Sequence, residues 1–443
     1  MLYPQDLTLE SCKITNSKGE TYEFRFALLE FNYFEDIYSN FITGNILVND
    51  SAGFLDTWGF NGNEYLTLSF SKPNFDDKIE KTFRVFKVSD RILAKDQNEN
   101  YRLNFCSEEA VLSEQYRISK SYKNTKVSDI VKDILKNELL VGLNKFKEEN
   151  IEETRGLRDL IMPNKKPLET LNWLTTQSIS NESGTIGSSF LFFENFDGFN
   201  FKSLQSLFTG EVYASYNYEP KNIGQEVDAD FRNVISYDVV SNFDVLKSIN
   251  TGSYANRLIT IDPIRQSYKV IDFDYDDYFP SAKKLNENKL MSDAKNRKKD
   301  SLNKTPNCVL RLTTTNTGQS TFSPYVKSRQ PNIKDVNIEY IVPNRIAQIS
   351  QLNTNKYNLT VPGDPFLTVG KVITFNLPSV RTDENGRVLD TIYSGKYLIT
   401  ALKHHIDVEN RFYTVIEISK ESSPNPLISA DNNSVNMNTI RSL

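Results

Sequence analysis

The sequence predicts a mainly β protein with α+β insertions, made of two related antiparallel tube-like β-barrels and a mixed α/β domain. Two observations predict this fold: a three-strand block of alternating polar and apolar residues occurs twice, and the periodicity becomes helical between the copies. Each copy has a charged loop after its first strand and a polar turn after its second. Two unrelated β-meanders would give a similar pattern, so the relation between the copies is a hypothesis. The block comprises residues 64–70, 83–88 and 101–108 in the first copy, and residues 371–377, 396–402 and 411–419 in the second.

The first barrel is predicted over residues 1–109. Three further stretches with strand character precede the repeated block, and Gly, Asn and Asp residues separate them, as at residues 16–19 and 61–63. These stretches are residues 7–15, 22–31 and 41–49.

A mixed α/β domain is predicted over residues 110–232. Apolar residues recur there at intervals of three and four from Val127 to Leu139, which predicts an amphipathic helix with Thr125 or Ser128 as its N-cap. Pro167 suits the first turn of a second helix. The turn residues 195–198 lie between two short apolar stretches, which is typical of a β-hairpin.

The second barrel is predicted to be interrupted. Residues 234–246 have strand character, but the next strands begin only near Lys356. We therefore assign residues 233–250 and 353–421 to this barrel and residues 251–352 to an insertion.

The insertion and the C-terminus have their own patterns. Apolar residues recur at helical spacing from Ile338 to Leu352, and Pro343 marks either the start of that helix or a kink in it. Residues 422–443 are rich in Asn and Ser and are predicted to form a tail that is disordered on its own.

Composition excludes several functional classes. A chain of 443 residues suggests about three domains, and its 25% charged and 38% hydrophobic residues are ordinary for a globular protein. The net charge of −5 favours neither nucleic-acid nor membrane-surface binding. The N-terminus lacks a basic and apolar leader, and no apolar stretch is long enough to span a bilayer, so we expect no secretory signal and no membrane binding of the chain's own.

The cysteines and histidines predict neither a metal site nor a catalytic triad. Cys12, Cys106 and Cys308 are an odd set without close spacing, so buried free thiols are expected rather than a disulfide framework or a zinc site. His404 and His405 are adjacent in a predicted strand, and they therefore face opposite sides and cannot bind one metal together. No serine or cysteine nucleophile motif accompanies them.

An acidic run lies in the insertion. Asp272, Asp274 and Asp276 alternate with aromatic residues, with Asp277 beside them, so the first three would share one face of a strand. The run lacks the glycine and the distal glutamate of a calcium-binding loop. A solvated or partner-facing strand is therefore favoured over a metal site.

A basic stretch follows, over residues 283–304. A solvated loop is the favoured interpretation, an acidic protein partner the second, and nucleic acid the third, because no aromatic residues interleave for stacking on bases. The stretch contains eight basic residues (Lys283, Lys284, Lys289, Lys295, Arg297, Lys298, Lys299, Lys304) and three acidic ones (Glu287, Asp293, Asp300).

Two pairs of adjacent acids remain as candidates for acid–base chemistry. Glu108 with Glu109, and Glu152 with Glu153, would suit a glycosidase only if other residues supported a sugar site, and adjacent acids are usually solvated surface. We therefore predict no catalytic, cofactor-binding or metal-binding residues, no cofactor, and no enzymatic activity.

An ordered set of motifs resembles the baseplate hub proteins of contractile-tailed phages of the T-even type, whose fold is shared with late-control proteins and the type VI secretion spike. No single motif is diagnostic, but together they cover nearly the whole chain in the expected order. The motifs are FITGNI at 41–46, VSDR at 88–91, VSDIVK at 127–132, DGFNFKSL at 197–204, YANRLIT at 254–260, VPGDP at 361–365 with VG at 369–370, and SGKYLIT at 394–400.

The resemblance implies a structural role in the virion. Proteins of this family are homotrimers whose two barrels per chain form a pseudo-sixfold ring between the hexameric tail tube and the trimeric membrane-puncturing spike. The implied partners are two further copies of the chain, the spike protein, tail-tube or tube-initiator proteins and baseplate wedge proteins, with DNA only as passing cargo. The resemblance implies no catalytic residues. Two alternatives stay open, a tail-associated cell-wall hydrolase and the hub of a related contractile injection or secretion system.

Overall fold

A computed structural model describes most of the chain, including all six strand segments of the two repeated blocks. The residues described are 6–71, 79–93, 98–182, 187–218, 231–262, 266–290, 304, 308–312, 338–383 and 386–425.

The N-terminal strands include two, over residues 43–50 and 99–106, in which buried side chains alternate with half-buried ones, as the sequence pattern predicts, because one face of each strand packs on the core. We call the N-terminal strands the first β unit. Its elements are β1 (Thr8–Thr15), β2 (Thr21–Glu23), β3 (Leu28–Asp36), β4 (Thr43–Asp50), α1 (Phe54–Trp58), β5 (Tyr65–Ser71), β6 (Ile79–Leu93) and β7 (Glu99–Cys106).

The mixed α/β domain follows. Pro167 begins a helix as predicted, and the predicted hairpin forms around Phe196 and Asp197. Gly198 has φ 121°, and a Cβ atom there would lie 2.0 Å from the carbonyl oxygen of Lys145, so glycine is required. The elements are α2 (Glu108–Gln115), β8 (Ser121–Thr125), α3 (Val127–Asp133) continued by a π-helix (Ile134–Glu138), a 3-10 helix (Glu148–Asn150), β9 (Arg158–Ile161), α4 (Pro167–Thr175), β10 (Phe190–Asn195), β11 (Gly198–Ser203) and α5 (Leu204–Phe208).

The remaining elements form a second β unit and the segment that interrupts it. The second β unit comprises β12 (Val212–Asn217), β13 (Ser236–Ser241), β18 (Lys356–Pro362), β19 (Val372–Asn376), β20 (Pro378–Asp383), β21 (Gly386–Leu389), β22 (Gly395–Ile406) and β23 (Phe412–Ser419). Between β13 and β18 lie α6 (Val245–Thr251), β14 (Ala255–Asp262), β15 (Ser267–Asp274), α7 (Tyr275–Tyr278), a 3-10 helix (Phe279–Ser281), β16 (Asn288–Lys289), β17 (Cys308–Leu312) and α8 (Ile338–Leu352), and after β23 comes β24 (Ser422–Ser423).

The two β units repeat the same strand order. Strands β3, β4, β7, β6 and β5 are consecutive neighbours in the first unit, and β13, β18, β23, β22 and β19 are consecutive neighbours in the second. All pairs in both series are antiparallel. The hypothesis of two related β units, rather than two unrelated meanders, is therefore confirmed.

The register of the two units also matches. One row of paired residues crosses each unit. Two residues after this row, a β-bulge falls on the corresponding strand of each unit, at Phe86 in β6 and at Thr400 in β22. Because register and bulge both agree, residues can be equated between the units one by one. The matching rows are Phe34, Thr43, Cys106, Arg84 and Tyr65 in the first unit, and Ser241, Lys356, Ser419, Leu398 and Val372 in the second.

The units differ at the outer strand and in closure. Strand β1 pairs antiparallel with β5, whereas β12 pairs parallel with β19. No pairing among the described strands closes either unit into a barrel, and the two units are joined into one sheet by β22 and β3. Most of their apolar side chains belong to one hydrophobic cluster, which also includes Leu191 and Phe193 of β10 and Leu204, Leu207 and Phe208 of α5, while most apolar side chains of the α/β domain form a second cluster.

Several boundaries differ from those predicted. The stretch 22–31 contains the end of β2 and the start of β3, because the chain turns between Phe24 and Ala27. The stretch 234–246 is shorter as a strand than predicted, because Asp244 accepts a hydrogen bond from the Lys247 N–H at 2.9 Å and begins helix α6.

One helix cap was predicted wrongly, and of the two alternatives for Pro343 the structure excludes a helix start there. The residue before α3 is Lys126, and the Ser128 N–H donates to the Thr154 hydroxyl at 2.9 Å, so neither Thr125 nor Ser128 caps the helix through its side chain. Helix α8 starts before Pro343 and continues through it.

Candidate assembly surfaces

The internal joint is the pairing of β22 with β3, and it connects the two β units within one chain. Beyond the bulge at Thr400, β22 leaves β19 and pairs antiparallel with β3, so that residues 401–406 lie opposite residues 31–36. The Ile37 N–H donates to the Thr400 carbonyl oxygen at 2.9 Å and extends the joint past the bulge. The joint therefore satisfies one edge of β3 with strand hydrogen bonds.

Polar side chains fix the joint. Glu35 is fully buried, and it accepts hydrogen bonds from the Tyr33 hydroxyl at 2.6 Å and from the Val369 N–H at 3.0 Å. Burial raises the pKa of the Glu35 carboxyl to about 7, although these hydrogen bonds lower it. On the other face, His405 Nδ1 lies 2.8 Å from the Asn32 amide oxygen. These contacts select one register between the units.

The α/β domain packs against the same region. Asn195 donates to the Val369 carbonyl oxygen at 3.1 Å. Its neighbour Glu194 is buried, accepts hydrogen bonds from the Ser107 hydroxyl at 2.5 Å and the Ile42 N–H at 3.1 Å, and forms an ion pair with Lys145 at 2.9 Å. The joint therefore has contacts from both β units and from the α/β domain.

Two strand edges, one in each β unit, have no partner along part of their length among the described strands and are considered further. The edge of β6 that faces β5 is paired only as far as Arg84, and from residue 87 to residue 93 no described strand pairs with it. The edge of β13 opposite β18 likewise has no partner among the described strands. We call these the β6 edge (residues 87–93) and the β13 edge (residues 236–241).

Both bare edges expose apolar side chains. Ile92 and Leu93 are 64% and 79% exposed on β6, and Val239 and Val240 are 41% and 49% exposed on β13. In the internal joint, Ile406 of β22 and Phe31 of β3 are buried instead. Exposed apolar strand edges invite pairing with another chain. Sequence reasoning did not identify these edges, because a strand's partners on each side are not encoded in its own pattern.

The paired acids are used within the fold. Glu108 lies 3.6 Å from Arg84, and Glu109 pairs with Lys145 at 2.7 Å. Glu152 accepts a hydrogen bond from the Ser203 N–H at 2.7 Å, and Glu153 forms an ion pair with Lys126. The prediction that they are simply solvated surface was therefore wrong for Glu109, which is buried.

The acidic run does not form one carboxylate face. Asp272 makes a bidentate ion pair with Arg257 at 2.6 and 2.8 Å. Asp274 ends β15 and accepts a hydrogen bond from the Asp276 N–H at 2.9 Å, so Asp276 lies in helix α7, where it pairs with Lys289 at 3.0 Å. The predicted shared strand face was wrong. Within the residues described, no group of three or more His, Cys, Asp or Glu side chains could hold a metal ion.

The histidines and cysteines pack within the two β units. His404 is buried with Nδ1 2.9 Å from the Thr414 hydroxyl, whereas His405 contacts Asn32 on the opposite face, as the strand period predicts. Cys12 and Cys106 are buried free thiols in different hydrophobic clusters. Burial raises the pKa of Cys12 to about 12 and that of Cys106 to about 11. The side chain of Cys308 lies outside the described residues.

The basic stretch is described only in part. Lys283 pairs with Glu182, and the Lys284 ammonium lies 4.2 Å from the centre of the Phe279 ring. Lys295, Arg297, Lys298 and Lys299 lie outside the described residues, as does the tail from residue 426 onward.

The start of the C-terminal tail is ordered, which corrects the prediction for its first residues. Ser422 and Ser423 are buried and pair with β16. The Ser422 hydroxyl accepts a hydrogen bond from the Asn286 N–H at 2.7 Å, and the Ser422 carbonyl oxygen accepts one from the Asn286 amide at 3.0 Å. No helix in the described part of the chain is long and apolar enough to cross a membrane.

The chain is similar to tail proteins. No protein-family model matches it. A probable baseplate hub protein of Vibrio phage KVP40 is 22% identical over 407 residues, which cover 87% of this chain and 88% of that protein. Sequence similarity over this span confirms the resemblance to phage baseplate hub proteins that the motifs indicated.

Two solved structures share the fold. A tail protein from Neisseria meningitidis MC58 has a TM-score of 0.54 at 9% identity, with 93% of this chain and 96% of that chain covered. The 43 kDa tail protein of prophage MuSo2 from Shewanella oneidensis has a TM-score of 0.52 at 11% identity, with 93% and 98% covered. The predicted fold class is confirmed as mainly antiparallel β, with a large sheet and helices, whereas the two predicted tube-like barrels are not closed by any pairing among the described strands.

Proposed function

We propose that this chain is the structural hub of a contractile-tail baseplate, and that it is a homotrimer which adapts a hexameric tail tube to a trimeric membrane-puncturing spike. The observation that carries the proposal is the matching register of the two β units within one chain. Three chains would then present six nearly equivalent β units, on which a sixfold tube could stack. The similarity to a probable baseplate hub protein supports the same role.

The threefold partner would bind what the two units do not share. The segment between β13 and β18 and the C-terminal tail occur once per chain, so they repeat three times around a trimer. We expect the spike to contact these parts. Tail-tube or tube-initiator proteins would stack on the opposite face, and baseplate wedge proteins would contact the rim. The trimer would be assembled in the cytoplasm of the bacterial host and become part of the virion.

The ring would form part of the DNA channel. DNA must slide through it without binding, so we expect a neutral or acidic inner wall, with the basic stretch of residues 283–304 outside the channel. A related contractile injection or secretion system would place the same architecture around a different cargo.

The proposal is tested by the mass and shape of the purified protein. Light scattering coupled to gel filtration should give three times the chain mass, and negative-stain images should show a ring with six similar lobes. A monomer at micromolar chain concentration, or a ring of two or four chains, would contradict the proposal.

The proposed role includes no hydrolysis of the cell wall. The paired acids that a hydrolase would use are engaged with Arg84, Lys145, Ser203 and Lys126. A peptidoglycan zymogram with the purified chain should show no clearing. Clearing that disappears after a single carboxylate is changed to its amide would establish the alternative.

A further inference from the structure

We propose that the base of the β22–β23 hairpin is a two-state latch that holds or releases the insertion. In the split state, which the structure shows, the side chain of Asn286 lies between the two strands and residues 285–289 are held against the second β unit. In the paired state, Lys396 would pair directly with Glu421 and residues 285–289 would be released. The inference goes beyond the hub role, and it requires neither the proposed trimer nor a partner protein.

The ladder between β22 and β23 stops before the end of β22. The last pair at the base of the hairpin is Leu398 with Ser419. Continuing the same antiparallel register by two residues would pair Lys396 with Glu421. These two described residues do not pair, although β22 itself continues to Gly395. The strand therefore has backbone groups at Lys396 that β23 could satisfy and does not.

The side-chain amide of Asn286 occupies the place beside Lys396 instead. It accepts a hydrogen bond from the Lys396 N–H at 3.0 Å and donates one to the Lys396 carbonyl oxygen at 3.0 Å, as the backbone of a neighbouring strand would. The same amide donates to the Ser422 carbonyl oxygen at 3.0 Å. Asn286 thus lies between the two chain segments that a longer hairpin would join. Because a backbone N–H and carbonyl could replace the amide group for group, its removal would leave no buried backbone group unsatisfied.

The split state attaches the insertion to the residues that follow β23. The Leu285 N–H donates to the Glu421 carboxylate at 2.7 Å, and the Asn288 amide donates to the Pro424 carbonyl oxygen at 2.9 Å. Strand β16 pairs with β24 between these contacts. All of them require that the chain leaves β22 after Ser419, so all of them would break when Lys396 pairs with Glu421.

The split state also buries a charge that the paired state would neutralise. Glu421 is 3% exposed, its Oε2 atom accepts no hydrogen bond, and it forms no ion pair with any residue that the structure describes. Burial raises the pKa of the Glu421 carboxyl, although hydrogen bonds from the Leu285 N–H and the Ser422 hydroxyl lower it. In the paired state Glu421 would lie opposite Lys396, which is exposed and of opposite charge. Hydrogen bonds thus favour the split state and the charge favours the paired state.

The latch couples the C-terminal tail to the insertion. The tail follows directly from Glu421 and β24, so its first residues take part in both states. A partner that holds the tail in line with β23 would favour the paired state and release residues 285–289. By reciprocity, a partner that binds the released insertion would favour the same state and draw the tail toward β22.

The first test detects the paired state in the unmodified full chain. A zero-length carbodiimide joins a lysine amine to a carboxylate when the two are in contact, and the ion pair of Lys356 with Glu417, at 2.8 Å, is the internal standard. Mass spectrometry of a protease digest should find an amide between Lys396 and Glu421 at a lower yield than the standard, because a minor state is populated at about 0.1–10%.

Two variants show whether Asn286 controls this state. Asn286→Ala removes the group between the strands, and it should raise the yield of the Lys396–Glu421 amide relative to the standard at least about tenfold. Asn288→Ala is the matched control, because it removes one hydrogen bond of the same segment and leaves Asn286 in place. It should raise the relative yield by only about twofold to threefold.

A second measurement does not depend on coupling chemistry. Glu421→Gln keeps an acceptor for the Leu285 N–H and removes the buried charge, so it should favour the split state and slow hydrogen exchange of the amides at residues 285–286 at least about threefold. Lys396→Met removes the partner of that charge in the paired state and should slow the same amides. If Glu421 were only a structural acceptor, these amides would exchange at an unchanged or higher rate.

Three results would overturn the latch and leave the hub role intact. The first is a coupled standard without any Lys396–Glu421 amide, in the unmodified chain and in Asn286→Ala. The second is an equal rise of that amide in Asn286→Ala and Asn288→Ala, which would mean that the whole segment frays. The third is faster or unchanged exchange at residues 285–286 in Glu421→Gln.

Discussion

Strands β3 and β13 occupy the same position in the two β units, yet their surroundings differ. Strand β3 lies between β4 and β22, so its Phe31 and Tyr33 are buried. Strand β13 pairs with β18 alone, and its apolar residues are exposed. The same architecture thus occurs once with its edge covered and once with its edge bare. The difference shows that burial at this position depends on the neighbouring strand and not on the architecture of the unit.

The largest expected effect is on the complete joint. Ile406→Ala removes a fully buried side chain between β22 and β3, and it should lower the free energy of unfolding by about 2–5 kcal/mol. The matched change Ile92→Ala, in the bare β6 edge, should lower it by less than about 0.5 kcal/mol in the free chain. Urea unfolding of both variants at the same chain concentration measures the difference. Equal losses of unfolding free energy in the two variants would mean that Ile92 is as buried as Ile406, and that the β6 edge is not bare in the free chain.

The second prediction concerns pH. The pKa of Glu35 is raised in the folded chain to about 7 from its usual 4.5, so the folded state holds a proton that the unfolded state has released between these values. The stability of the joint is therefore highest below pH 4.5 and falls as the pH rises to 7, by up to about 3 kcal/mol. Glu35→Gln keeps an acceptor for the Val369 N–H and should remove this dependence. Denaturation at pH 5 and at pH 8 measures the difference, and a wild-type chain that gains stability relative to the variant as the pH rises would contradict it.

A third prediction concerns β24, a strand that follows the second β unit only. Strand β24 has no counterpart after β7, where the chain continues into α2. A chain ending at residue 421 loses the hydrogen bonds between Ser422 and Asn286. Its free energy of unfolding should be about 1–3 kcal/mol lower than that of a chain ending at residue 425, and urea unfolding measures the difference.

The chain ending at residue 425 should have the same free energy of unfolding as the full chain and should still form a ring, but it should retain less spike protein in a pull-down. Undiminished spike retention would exclude the tail as a docking element.

The smallest expected effect on the free chain comes from a charge on a bare edge. Val240→Lys should change the free energy of unfolding by less than about 0.5 kcal/mol, because the side chain is half exposed. It should raise the dissociation constant of the trimer at least about tenfold, since lysine on a strand edge opposes pairing. Leu143→Lys, at a 90% exposed position in the α/β domain, is the control and should change neither quantity. Sedimentation equilibrium distinguishes the two variants.

The sequence predicted local structure well where one face of an element determines it. The alternation in β7 and β23 and the spacing from Val127 onward predicted strands and a helix, because each pattern is set by burial against a single core. The repeated block was recognisable for the same reason.

What the sequence could not provide was the partner of each strand. Glu35 is acidic and reads as a solvent-facing residue, yet it is buried, and it accepts hydrogen bonds from Tyr33 on the same strand and from Val369 in a distant part of the chain. Gly44 of β4 and Tyr357 of β18 are equivalent by register, but a Cβ atom on Gly44 would lie 2.2 Å from the Phe105 ring, whereas the second unit accommodates a tyrosine. Such compensations between distant residues are invisible without the fold. Which strand edges lack a partner likewise depends on how the strands pair in the fold, and it cannot be predicted from the residues of one strand.

The internal joint also has a consequence for the order of folding. It pairs residues 31–36 with residues 401–406, so nearly the whole chain must leave the ribosome before β3 receives its second neighbour. At about 5–20 residues per second, synthesis leaves β3 uncovered for roughly 20–70 s. During that time β3 has the same free edge that β13 keeps, and the β22 strand of another nascent chain fits it as well as its own does. We therefore expect domain-swapped dimers to increase when many copies are translated at once, a product that gel filtration at rising expression levels would reveal. The timing of synthesis, and not only the shape of the finished surface, would then decide whether β22 pairs with β3 of its own chain or with β3 of another chain.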